Sequence, residues 1–379
     1  MNSKLMFIKK PIIQNESYLY KRREPLNYIA FLKFLAMILI IKWHLAHPKY
    51  VKIDYGARMC EFLFVSSGFL VGYNYYQRPL PATYQSSFKY VYKHLRTFYP
   101  LEFINILYFI FFGHKKNKNI TDFEVIIINF FLLKAWAIIV NAITSLNGVT
   151  WFLSALLFSY FLTPLLLGGI KNMKTSLILF VLVAITRFSI EEFTFQKAIN
   201  ILGANFHYGP VIRSMDFFLG MLIIPLYYKI KSYLEKIRYK ICIKIVFTLI
   251  QIVFPIYIYY IMAKYNKNFL RGYFVLIFCI NIFFIAFDYG YLSKLIESKL
   301  VKIIMSCQME MFMLQLSVPN IMLKIMIRLK LKSSKDLEFI FYIKLFFIFI
   351  SAFLYKLMLK NNFTIIMDRI VYIILKFIN

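Results

Sequence analysis

Acidic residues are scarce in this chain: 17 Asp and Glu stand against 46 Lys and Arg in 379 residues, for a formal charge of +29. An excess of that size would suggest a nucleic-acid partner. Here, however, most of the cations lie in short runs between apolar segments, where positive charge fixes membrane topology and meets anionic lipid. No recognisable nucleic-acid-binding domain or motif accompanies them, so nucleic acid is not expected as a partner. Cysteine is rare as well. Cys60, Cys242, Cys279 and Cys307 fall in or beside apolar segments without ligand spacing or pairing, so neither a metal site nor a disulfide framework is expected. Strand-like alternation over about ten residues is missing, which argues against an outer-membrane barrel. No low-complexity linker and no repeat of fixed period divides the chain, and one membrane domain is the simplest reading.

What is abundant is apolar side chain: 61% of residues are hydrophobic and 20% aromatic. Soluble domains hold about 45–50% apolar residues, and blocks of about 20 apolar residues are long enough to span a bilayer as helix. The pattern predicts an all-α, polytopic membrane helical bundle of about ten transmembrane helices. The spans fall near 28–46, 58–76, 99–113, 151–169, 174–190, 212–230, 241–263, 271–288, 302–325 and 339–358. A basic leader, residues 1–25, carries Lys4, Lys9, Lys10, Lys21, Arg22 and Arg23 and places the N-terminus in the cytoplasm. It lacks a small-residue cleavage site, so the first span is expected to stay as an anchor.

Residues 124–142 are apolar enough to be another span, but parity argues otherwise. If they do not cross, the basic linkers 170–174, 229–240, 289–302 and 356–360 all land on the cytoplasmic side, leaving HKKNK at 114–118 and RLKLKSSK at 328–335 outside. If they do cross, the strongest linker, KIKSYLEKIRYK, faces outward. We therefore read 124–142 as re-entrant or interfacial, which requires protein to cover its backbone. Residues 84–98, alternating basic and aromatic, read as a helix on the cytoplasmic surface, and 361–379 as an interfacial helix, a tail or an extra span. The membrane domain then runs from 26 to 360.

Ionisable residues inside apolar segments are the functional candidates, because burying charge in a bilayer is costly. The stretch from Leu26 to Leu45 holds Lys33 and His44. Eleven residues is close to three helical turns, so the two share a face roughly 16 Å apart along the axis. Lys42 points the other way, near the helix end. The second span offers Glu61 and a small, polar strip of Ser66, Ser67 and Gly68, which suits close helix packing or a narrow ligand. Arg96 precedes Pro100 at the cytoplasmic end of the third span, with Lys89 and Lys93 beside it, and can anchor the interface or grip a phosphate. Trp151 and Ser154 open a later span, and Arg213 and Asp216 lie three apart on one helical face.

Together these stretches resemble the acyltransferase type 3 family of integral-membrane proteins, which includes bacterial O-acetyltransferases of envelope polysaccharides. Members carry Arg, ten intervening residues and His in the first span; here Lys33 holds the arginine position and His44 the histidine position. Glu61 with Ser67, Gly68, Phe69 and Leu70 matches a further element, as do Arg96, Tyr99 and Pro100. Trp151, Leu153 and Ser154 match another, and so do Arg213, Asp216, Phe217 and Gly220. Members often show a C-terminal histidine pattern; here the stretch reads MEMFMLQLSVP, with Gln315 and no histidine.

The resemblance implies an O-acyltransferase of the bacterial cytoplasmic (inner) membrane. Its donor would be acyl-CoA, most simply acetyl-CoA, and its acceptor the hydroxyl of a sugar, glycan or lipid-linked oligosaccharide, with no metal. In that reading His44 is the general base or acyl acceptor, and Glu61 orients it or positions the acceptor. Lys33, Arg96, Lys93 and Ser67 line the donor, while Trp151, Arg213 and Asp216 shape the acceptor side. The alternative is a multi-span transporter or exporter of a free or lipid-linked glycan, for which the repeated halves common in carriers are missing.

Overall fold

The computed structural model of the chain describes residues 23–45, 55–78, 80–112, 122–137, 143, 145–197, 208–237, 240–264, 273–328 and 337–378. The leader before Arg23, the HKKNK loop, residues 138–142 and the RLKLKSSK loop after Arg328 lie outside them. Among the described residues all regular structure is helical. The helices are α1 (Asn27–Leu45), α2 (Tyr55–Tyr75), α3 (Tyr84–Phe112), α4 (Asp122–Phe130), α5 (Trp151–Leu166), α6 (Met173–Lys197), α7 (Pro210–Leu222) and α8 (Ile224–Leu234). They continue as α9 (Lys240–Lys264), α10 (Tyr273–Ile285), α11 (Tyr291–Ile296), α12 (Lys299–Met305), α13 (Gln308–Leu314), α14 (Ser317–Arg328), α15 (Leu337–Leu354) and α16 (Lys360–Ile378).

The chain is a multi-pass helical membrane protein. Among the described residues seven helices are long and apolar enough to cross a bilayer, eight if α12–α13 and α14, bent by 68°, count as one broken span. The remaining two of the ten expected spans coincide with α2 and α10. Two charges, two serines and three glycines lower the hydropathy of α2, and α10 is only 13 residues long. The surface helix expected at 84–98 is not a separate element. It is the first half of α3, a 29-residue helix with Pro100 inside it. At 1.5 Å per residue α3 measures about 43 Å, so it outreaches a hydrocarbon core of about 30 Å.

Contacts between helices fix their directions. Trp43 lies against Gly56 and Lys33 against Ser67, so α1 and α2 are antiparallel. Glu61 pairs with Arg213, Gly68 meets Phe217, and Gly72 meets Met221 and Ile224, so α2 and α7 are parallel. Trp151 with Tyr208 and Tyr160 with Phe217 make α5 parallel to α7. Phe88 with Phe161 and Tyr90 with Tyr160 make α3 antiparallel to α5. The chain therefore leaves α3 and enters α5 at the same end of the bundle, and the segment between them turns back. With nine residues, α4 reaches only about 14 Å.

Non-helical backbone at that depth needs donors for its carbonyls. Lys134, fully buried in a short 3-10 turn, supplies them. Its ammonium donates to Ser145 O at 2.8 Å, Asn147 O at 2.5 Å and Thr150 Oγ1 at 3.1 Å. Asn147 Nδ2 in turn donates to Glu102 on α3 at 3.0 Å and to Met313 O on α13 at 3.1 Å.

The tightest helix pair is α2 with α7. A methyl on Gly68 would overlap the Phe217 carbonyl, and one on Gly220 would overlap the Val65 carbonyl. Lipid tails are as apolar as leucine, so such small-residue contacts, and not hydrophobic exclusion, hold membrane helices together. This seam fixes the height of every charged residue on α2 relative to α7.

Candidate active site

The sequence-predicted residues separate into two layers joined by Lys33. The first layer lies at the end of the bundle where α1 finishes and α2 begins. There His44 is half-buried, its ring edge-on to Trp43 with centroids 4.7 Å apart. No hydrogen bond or ion pair reaches its imidazole among the described residues. The α1–α2 register puts His44 level with Gly56 to Arg58, the first turn of α2.

One turn further along α2, Glu61 is 2% exposed and already engaged. Arg58 Nη1 donates to both its oxygens at 2.8 and 2.7 Å, and Arg213 Nη1 lies 3.5 Å away. Arg213 also donates to Asp216 Oδ2 at 2.7 Å, while Arg187 of α6 takes Asp216 Oδ1 at 2.9 Å and Glu191 at 2.7 Å. Three arginines thus face three carboxylates across α2, α6 and α7. Burying these charges is tolerable because each has an opposite partner within hydrogen-bond range. Glu61 belongs to this array and has no hydrogen bond to His44.

Trp151 packs edge-on to Tyr208, centroids 4.9 Å apart, in the same layer. Trp151 opens α5, and Tyr208 lies two residues before α7.

Lys33 lies six residues into α1, about 9 Å from its first turn. Its ammonium donates to Ser67 Oγ at 3.2 Å, so the structure brings together two of the expected donor-side residues. The other two, Arg96 and Lys93, sit toward the opposite end, on the first half of α3. Arg96 Nη1 meets both carboxylate oxygens of Asp368 on α16, at 3.1 and 2.8 Å. Lys93 Nζ is 3.4 Å from the Tyr75 hydroxyl. Gln315, where relatives often carry histidine, is buried and donates to Phe312 O at 2.9 Å.

Several buried polar residues escaped the sequence reading. Arg187 and Glu191 form an i, i+4 pair inside an apolar segment, a spacing legible beforehand. Glu102, Lys134 and Asn147 gave no such signal, because their partners are separated by the re-entrant segment and by α13.

A helical bundle that buries a lysine and a matched charge array, with a half-buried histidine beside that array, is a membrane protein with a polar interior. The family comparison narrows the class. The acyltransferase type 3 family model, described as an acyltransferase domain, matches residues 26–355, and the chain belongs to that family. It is a membrane acyltransferase, working with an acyl donor and an acceptor. No curated protein and no solved structure matches it at comparable stringency.

Proposed function

We propose that this chain moves an acetyl group from cytoplasmic acetyl-CoA to a hydroxyl of a cell-envelope sugar, glycan or lipid-linked oligosaccharide. The observation that carries the reading is the placement of Lys33 and His44 on one face of α1, with Ser67 completing the lysine's site. His44 lacks a competing ion pair among the described residues, so its imidazole is available as a base. It takes the proton of the acceptor hydroxyl as that oxygen attacks the thioester carbonyl; the C–S bond then breaks, and the CoA thiolate leaves and is protonated.

Lys33 lies roughly 16 Å from His44 along the helix. That distance rules out a shared role at one carbonyl and suits an extended pantetheine arm, with Lys33 toward the charged part of the donor. Arg96 and Lys93 extend the cationic path toward the nucleotide phosphates. Arg213 and Asp216, with Trp151 beside them, give the acceptor side a rigid wall, and Glu61 holds Arg213 in place. On this reading Glu61 acts on the acceptor side and not on the imidazole.

The test is thiol release from acetyl-CoA by the purified chain, wild type beside His44→Ala, with crude cell-envelope glycan as acceptor. Removing a general base costs about 10²–10⁴ in rate, so the variant should fall by at least about a hundredfold. Equal release by both forms would move the base elsewhere; no release and no acetyl-CoA binding by either would return the transporter reading.

A further inference from the structure

The family match ends at residue 355, yet a residue beyond it closes on a cation assigned above to the donor. Asp368, on α16, accepts from Arg96 Nη1 with both oxygens and from the Tyr92 hydroxyl at 2.7 Å. This is not the strong form of an arginine–carboxylate pair. One nitrogen serves both oxygens, and Arg96 Nε has no acceptor among the described residues. A parallel two-nitrogen fork, the geometry that makes arginine a phosphate binder, stays unused. Both side chains are about a quarter exposed (25% and 26%), so water and salt screen the pair.

The helix carrying Asp368 packs along α3, and that packing is shallow. None of residues 361–373 is buried, and Ile365, Ile366, Ile370, Tyr372 and Ile373 are exposed. That apolar face suits lipid and loses no protein contact if the helix tilts. The element before it is a π-helical turn, Tyr355–Leu359, where the regular hydrogen-bond ladder slips by one residue. On either side of the turn's end, Lys356 donates to Ser306 O at 2.5 Å and Lys360 pairs with Glu310 at 2.6 Å. The base of α16 is therefore pinned to α12 and α13, and the length beyond it rests against α3.

We infer that α16 is a displaceable latch: Asp368 occupies, as an internal anion, a phosphate site made by Arg96 with Lys93 and Lys89 on the same helix. A phosphate-bearing ligand competes with Asp368 for the fork and swings α16 about the π turn. The inference rests on the donor reading above for the identity of that ligand, but not for the existence of the latch. The same chemistry could come from acyl-CoA or from an anionic lipid headgroup.

A closed latch lowers apparent affinity by the fraction of open molecules. A screened ion pair together with one phenolic hydrogen bond corresponds to roughly a three- to tenfold effect. The experiment uses the full chain in phosphatidylcholine nanodiscs. Acetyl-CoA should bind Asp368→Asn about three- to tenfold more tightly than wild type, with kcat unchanged. Inorganic pyrophosphate should accelerate hydrogen exchange of residues 361–373 in wild type and add little in the variant. Acetyl-CoA binding equal to or weaker than wild type, together with no effect of pyrophosphate, would overturn the latch. If neither form binds acetyl-CoA yet pyrophosphate still frees α16, the latch stands and the donor reading falls. In discs containing phosphatidylglycerol, exchange already fast without pyrophosphate would assign the site to a lipid headgroup.

Discussion

Replacing Gly68 with alanine should separate the two helices that align the charged layer. A Cβ there would lie 2.6 Å from the Phe217 carbonyl carbon and 3.1 Å from its Cα, with the carbonyl oxygen closer still. Carbon pairs rest at about 3.5–4.0 Å, so α2 and α7 must part by about 1 Å. The obstructing atoms are backbone, so no rotamer change relieves them. Overpacking of this kind costs about 1–3 kcal/mol. The same displacement stretches the Glu61–Arg213 pair from its 3.5 Å, losing about 1 kcal/mol more at an effective dielectric of about 20. The sum, about 2–4 kcal/mol, should lower the apparent melting temperature in mild detergent by roughly 2–5 °C. Gly168→Ala is the control, since nothing lies within 4 Å of its Cβ position. Thiol release from acetyl-CoA should fall with stability in the first variant and hold in the second. A Gly68→Ala protein that melts within about 1 °C of Gly168→Ala would show that the helices have slack, and the seam argument would fail.

Two further substitutions probe the buried charges. Lys134→Leu strips three acceptors of their donor, at about 1–3 kcal/mol for each buried group left unpaired, and removes the cation whose charge acts on buried Glu102. Added Glu102→Gln should recover part of the loss, and limited proteolysis within 131–150 reads both; a double variant cut as fast as the single would refute the electrostatic coupling of Lys134 to Glu102. Asp216→Asn leaves Arg187 and Arg213, both buried, without their shared carboxylate, with an expected cost of about 3–5 kcal/mol. Adding Arg187→Gln restores the balance and should raise the melting temperature again, whereas a further drop would mean the array is not energetically coupled.

Much of the fold was legible because a bilayer leaves few options. Apolar blocks of span length had to become helices, and nine of the ten expected spans coincide with one continuous or nearly continuous helix, the exception being 302–325, which falls on the bent α12–α14. The parity of basic loops even anticipated that the described part of 124–142, residues 124–137, holds no full span. The surface helix at 84–98 was misjudged because basic and aromatic residues suit an interface and a projecting helix equally, and only packing against α5 and α16 distinguishes them. Arg96 shows the same limit: its sequence neighbours on α3 are cations, and the carboxylate that meets it lies 272 residues away.

The sequence by itself determined the class of molecule, the membrane helices and the pairing of Lys33 with His44, because these follow from composition and from the 3.6-residue period along one helix. Only the tertiary structure decided that Glu61 is tied to arginines instead of to His44, that Lys134 supports the re-entrant backbone and that Asp368 covers Arg96. Each of those depends on the height at which one helix meets another. That height is set by close contacts such as Gly68 on Phe217, which a linear pattern of apolar and polar residues does not encode.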